Sequence, residues 1–135
     1  MKKHDPTLAP YGWYVGSYLL RFVEVADKGK ESPKRRFLSW ENTVIVKARN
    51  IGHAFDKVSA VAKGQTRPYR GGSTGVKVQW LFEGVTDLLP IHERLRDGAE
   101  IMWAERHPTS LKSLRRRAKP KRAFLLRSNQ RLERP

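Results

Sequence analysis

The stretch Val76-Lys77-Val78-Gln79-Trp80-Leu81-Phe82-Glu83-Gly84-Val85 constrains the fold more than any other part of the chain. Val76, Val78, Trp80 and Phe82 alternate with Lys77, Gln79 and Glu83, and only Leu81 breaks the alternation. Successive side chains of a strand point to opposite faces, so this pattern predicts a strand with one face on a core and one largely wet. Such a face needs a layer to pack on, and the residues upstream can build it.

Residues 1–10 are polar, with two prolines, and read as an N-terminal arm. From Tyr11 to Val25 the composition turns to Tyr, Trp, Val, Leu and Phe, which favour pleated surfaces. Trp13, Val15, Leu19, Val23 and Val25 fall on one face, and Tyr14, Tyr18, Leu20 and Phe22 on the other. A strand apolar on both faces is either central and covered twice, or half covered with Tyr14 and Tyr18 available to a partner. Ala26 to Arg36 forms a charged loop ending in Lys34-Arg35-Arg36. Phe37 to Ala48 is a second strand, with Leu38, Trp40, Val44 and Val46 on one face, and pairs with the first as a long hairpin.

Asn50 is a helix N-cap, its side chain able to satisfy an orphan backbone N–H. Ile51, Ala54, Phe55, Val58, Val61 and Ala62 follow at helical spacing, and Gly64 supplies the stop. This amphipathic helix is the element that can cover the sheet. Gln65 to Gly75 is a glycine-rich loop carrying Arg67 and Arg70. Beyond the 76–85 strand, Pro90 opens a short helical turn through Leu95, Asp97-Gly98 marks a tight turn, and Ala99 to Glu105 is a fourth strand. Each strand then carries one tryptophan, Trp13, Trp40, Trp80 or Trp103, read first as packing and second as a base-stacking or docking surface. The expectation is an α+β domain over residues 11–105, with an antiparallel sheet of about four strands and one helix on a face in the order ββαββ. Residues 106–135 form a basic tail.

A length of 135 residues suits one core. The absence of cysteine removes disulfides and thiolate metal sites and is compatible with a reducing compartment. No apolar run reaches the roughly 18 residues of a membrane helix, and the start lacks a signal-peptide core, so the expectation is a soluble cytoplasmic protein. The formal charge is +15, and its placement says more than its size. From Arg106 onward, eleven Lys and Arg face one acid, Glu133, leaving +10 there and +5 over residues 1–105. Such asymmetry points to a polyanion, most often nucleic acid.

Four segments resemble a bacterial family catalogued as a domain of unknown function. They are the opening Trp13-Tyr14, the helix start Ala48-Arg49-Asn50, the strand Trp80-Leu81-Phe82-Glu83-Gly84 and the turn Asp97-Gly98-Ala99-Glu100-Ile101. The family's patterns are W-[YF], A-x-[NS], W-x-[FY]-x-G and D-G-x-E-[IV], and the resemblance covers roughly residues 11–105. It implies an α+β domain of bacterial type, with no activity and no catalytic residues to carry over. The basic tail lies outside it.

Catalytic constellations are sparse. Gly71-Gly72-Ser73-Thr74-Gly75 superficially looks like a phosphate cradle, but a cradle lies between a strand and a following helix, and here the helix precedes and a strand follows. His4, His53, His92 and His107 have no partners at metal spacing. His92, Glu93 and Glu100 are the nearest thing to a general acid–base set, and Asp87, Asp97 and Glu100 carry no nuclease spacing. No motif calls for a cofactor, a metal or a small-molecule ligand. The expectation is a non-enzymatic protein binding nucleic acid or a nucleoprotein, independent of sequence, through Arg115, Arg116, Arg117, Lys119, Lys121, Arg122 and Arg127. Lys34, Arg35, Arg36, Arg67 and Arg70 are secondary contacts. The alternative is a protein-interaction module, an immunity or accessory subunit, that presents Tyr14 and Tyr18 on an exposed sheet face or edge.

Overall fold

In a computed structural model, which describes residues 4–71 and 74–127, the aromatic-rich segment becomes the centre of the sheet. Strand β1 (Trp13–Glu24) lies between β2 (Ser39–Lys47) and β4 (Val76–Pro90), and β3 (Tyr69–Gly71) pairs with the outer side of β4. All neighbours are antiparallel, in the order β2-β1-β4-β3. Helix α1 (Ile51–Lys63) separates β2 from β3, and α2 (Leu111–Arg117) and α3 (Lys121–Arg127) follow the sheet. The fold is α+β. The chain divides into two compact units, Met1–Trp103 and Ala104–Pro135.

The apolar doubling of β1 has its first meaning: the strand is central. Tyr14, Tyr18 and Leu20 face α1, together with Val44, Val46 and Trp40 of β2 and Trp80, Phe82, Val85 and Leu88 of β4. The helix inserts Ala54, Val58 and Ala62, all fully buried. Small side chains bring the helix close to the sheet, and Gly16 makes that approach possible. A Cβ on Gly16 would sit 2.6 Å from Val58 Cγ2. Trp80 anchors the far end of this layer against Phe22 and Trp40, with ring centroids 5.1 and 5.2 Å apart. Val15, Ser17 and Val23, on the opposite face of β1, are buried as well.

The third strand outruns its sequence signal. Alternation fails after Phe82 because β4 is bulged: its register against β1 shifts between Ser17 and Tyr18 and again between Leu19 and Leu20. Thr86 and Glu83 are the residues left without partners, and Gly84 between them has φ 147°, a conformation that disfavours side-chain-bearing residues. The strand resumes to Pro90, so the helical turn expected from Pro90 to Leu95 does not form. Proline ends the ladder instead, and residues 91–98 run as bends and turns.

Ala99 to Glu105 is not a strand. Ile101, Met102 and Trp103 are exposed, and this segment pairs with no neighbour in the sheet. The fourth strand is the short β3, inside what sequence reads as a loop, so the two strands after α1 are Tyr69–Gly71 and Val76–Pro90, where 76–85 and 99–105 were expected, and two helices follow them. The helix boundaries fall where the capping residues put them. The Asn50 side chain accepts from His53 N at 2.8 Å, and His53 Nδ1 in turn accepts from Arg49 N at 3.0 Å, a reciprocal cap. Residues 5–9 are held down: Ala9 is buried and donates its N–H to Tyr14 Oη at 3.1 Å.

Candidate functional site

The cationic residues nearest the C-terminus fall on two short helices. Ser110 caps α2, accepting from Ser113 N at 3.1 Å, and Arg115, Arg116 and Arg117 occupy the last turn, where cations favour the negative end of the helix dipole. Pro120 ends the link, and α3 begins at Lys121. Arg116, Arg117 and Lys119 line one concavity of about 440 Å³ with Ser113. Lys119 Nζ donates to the Arg116 carbonyl at 3.5 Å, which draws the ammonium toward the end of α2. Arg115, Lys121 and Arg122 are exposed beside this turn in sequence, and none of the six cations forms a salt bridge with a described residue. Arg127 closes α3. No described residue from 104 onward is buried.

The secondary cations divide differently. Arg35 is committed: Nη2 lies 2.6 Å from Asp27 Oδ2 and Nη1 donates to Oδ1 at 2.8 Å, while its guanidinium sits 5.2 Å from the Phe37 ring. The Arg35 hydrogen bond, seconded by the Gly29 N–H, holds the Asp27 carboxyl below the usual carboxylate range, and the same bond raises Arg35. Arg70 Nη1 donates to the Gly75 carbonyl at 3.1 Å, closing the β3–β4 hairpin. Lys34, Arg36 and Arg67 are exposed. These side chains belong to separate loops, not to the concavity at the end of α2.

Tyr14 and Tyr18 are fully buried, so they are core residues and offer no docking face. The alternation that puts them on one face cannot say which face the helix takes; the Gly16 opening against Val58 decides it.

A second concavity, of about 410 Å³, lies wholly within the first unit. Pro6, Leu89, Pro90, Ile101, Met102 and Trp103 supply apolar walls, and His92, Glu93 and Glu100 line the same space. The sequence trio is therefore brought together, although Glu93 already accepts the Glu100 N–H and pairs with Arg96 at 3.3 Å. Its carboxylate fixes the 93–100 turn. Trp103 is 69% exposed and was expected on a strand; no periodicity marks this pocket, because its walls come from the arm, the end of β4 and an irregular segment.

Sheet, helix and surface together define a small antiparallel α+β domain followed by a separate basic helical unit. The chain belongs to the family described as domain of unknown function (DUF4288), which it matches over residues 13–103. The match ends where the first unit ends, so the basic unit lies outside it. No curated protein and no solved structure is similar to the chain at a significant level.

Proposed function

We propose that the protein binds nucleic acid, alone or in a nucleoprotein, through the basic unit that follows the domain, without reading sequence. The observation that carries this reading is the gathering of Arg116, Arg117 and Lys119 around one concavity with no acid among the described residues that line it. A phosphodiester backbone offers spaced negative charges, and each cation set against a phosphate releases condensed counterions, giving affinity indifferent to the bases. The helices suit this work. Helices of seven residues with no buried side chain among the described ones are marginal on their own, and neutralising adjacent arginines removes the repulsion that opposes them. The expected signature is binding accompanied by a gain of helix.

The test uses the full chain and a variant with Arg115, Arg116, Arg117, Lys119, Lys121 and Arg122 replaced by glutamine. Fluorescence anisotropy with labelled single- and double-stranded oligonucleotides across a salt series measures both affinity and its salt slope. Neutralising the concavity's three cations alone lowers the duplex slope by roughly 2 to 3, at about 0.9 per phosphate contact. The six-site variant loses most of the affinity. Equal affinity and slope in parent and variant would refute the reading.

A further inference from the structure

The sheet has two edges, and they are not alike. On one side β3 pairs only with Val76–Val78, and the rest of that edge is β4 itself, bulged at Glu83 and Thr86 and ending in Pro90; on the other, β2 presents nine residues, Ser39 to Lys47, with no proline and with the β-branched run Thr43-Val44-Ile45-Val46 at its centre. Among the described elements of the first unit, β2 packs only on β1 and α1, so none of these covers its outer side. A long, regular edge is a template for another strand, and proteins usually shorten, bulge or charge such edges to block pairing.

Which groups of β2 face outward follows from the bonds at its two ends. Ala48 N donates to the Gly12 carbonyl at 2.9 Å, and Phe22 N donates to the Leu38 carbonyl at 2.9 Å. Both bonds join even-numbered residues of this segment to β1, in the register that pairs Tyr14 with Val46 and Leu20 with Trp40. Antiparallel strands alternate, so the N–H and C=O groups of Glu41, Thr43, Ile45 and Lys47 point away from β1. Independent support comes from Lys57, whose ammonium reaches the Lys47 carbonyl from the helix. The side chains of these odd residues lie on the face opposite α1 and are all exposed, Ile45 at 43%.

We propose that the β2 edge is the contact surface for a second copy of this chain, the two β2 strands pairing antiparallel about a two-fold axis at Val44. An isologous pairing must match outward residues with outward residues. Centred on Val44, it sets Glu41 against Lys47 of the other copy and Thr43 against Ile45, each twice. Centred one residue earlier, on Thr43, it sets Glu41 against Ile45 and Lys47 against Ser39, leaving both charges unmatched. Of these two registers the charge pattern of the strand favours the one centred on Val44. The result is one sheet continuous through both copies.

The experiment is sedimentation equilibrium of the nuclease-treated full chain at 0.15 M salt, with Glu41→Lys, Lys47→Glu, the double exchange and Ile45→Pro. The parent sediments at twice the chain mass. Each single exchange sets like charges opposite each other twice per dimer and raises the dissociation constant about tenfold or more. The double exchange restores opposite charges and returns it to within about threefold of the parent. Ile45→Pro removes an outward N–H without touching the β1 ladder, so it gives a monomer with an unchanged circular dichroism spectrum. A monomeric parent at about 100 μM, or a dimer whose affinity both single exchanges leave unaltered, overturns the proposal. If the proline variant fails to fold, the charge exchanges decide alone. Because nucleic acid is absent from the cell, the result is separate from the polyanion reading.

Discussion

Gly16→Ala tests the packing that fixes the covered face of the sheet. The added methyl would lie 2.6 Å from Val58 Cγ2 and 3.2 Å from both Val58 Cγ1 and Leu88 Cδ1. Val58 is fully buried on α1 and β-branched, so it cannot rotate away cheaply, and the helix must rise from the sheet. Overpacking of this kind costs about 1–3 kcal/mol, offset by about 0.4–1 kcal/mol because alanine restricts the unfolded chain. The net loss is about 1–2 kcal/mol, which lowers the melting temperature of a domain this size by roughly 5–15 °C. Thermal and urea unfolding of the parent, Gly16→Ala, Val58→Ala and the double variant complete the measurement. In the Val58→Ala background the new methyl fills vacated space, so Gly16→Ala is neutral or stabilising there, a coupling of about 1–3 kcal/mol. Strict additivity of the two substitutions, or a Gly16→Ala protein as stable as the parent, would refute the close approach.

Two further expectations concern the same unit. Tyr14→Phe deletes the hydroxyl that accepts the Ala9 N–H in a buried setting, so it costs about 1–3 kcal/mol in urea unfolding while oligonucleotide binding stays unchanged; equal stability would mean that the N-terminal segment contributes nothing there. Asp27→Asn destabilises at neutral pH, and its difference from the parent shrinks as pH falls. The folded-state value of Asp27 is depressed, so its contribution is present above the unfolded value of about 3.9 and is lost as pH drops through the lower folded value. Urea midpoints across pH 2–7 check this, and a constant difference over that range would exclude the Asp27–Arg35 linkage.

The legible parts of the fold were those where one local signal sufficed. Asn50 and Gly64 delimit α1, and the two-residue period sets the faces of β2 and the first half of β4. Reading failed where the outcome depended on partners distant in sequence. Ile101, Met102 and Trp103 have strand-forming composition but take no place in the ladder, in which β1 has β2 and β4 on its two sides and β3 pairs with Val76–Val78. Tyr69-Arg70-Gly71 carries too few residues to show a period, and only the register with Val76–Val78 makes it a strand. Tyr14 and Tyr18 illustrate the limit for sites: alternation puts them on one face, whereas burial of that face comes from a helix some forty residues later. The basic unit was legible as charge alone. Its concavity, and the withdrawal of Arg35 into an ion pair with Asp27, required coordinates.

The two proposed surfaces divide the protein's physical resources in a consistent way. The first unit invests its apolar residues in one covered sheet, leaving an edge whose backbone groups and two opposed charges suit the strand pairing proposed above. Among its described residues the second unit has nothing buried and carries a row of cations, the resources that the proposed recognition of charge without shape would use. A lone binding unit with a handful of phosphate contacts loses its hold steeply as salt rises. Two such units carried by paired chains convert the second engagement into an intramolecular one, and affinity for a long polyanion then grows without any new contact. Pairing through β2 would therefore matter most for long nucleic acids and little for short ones, which is what a binder indifferent to sequence needs in order to favour polymers over free nucleotides.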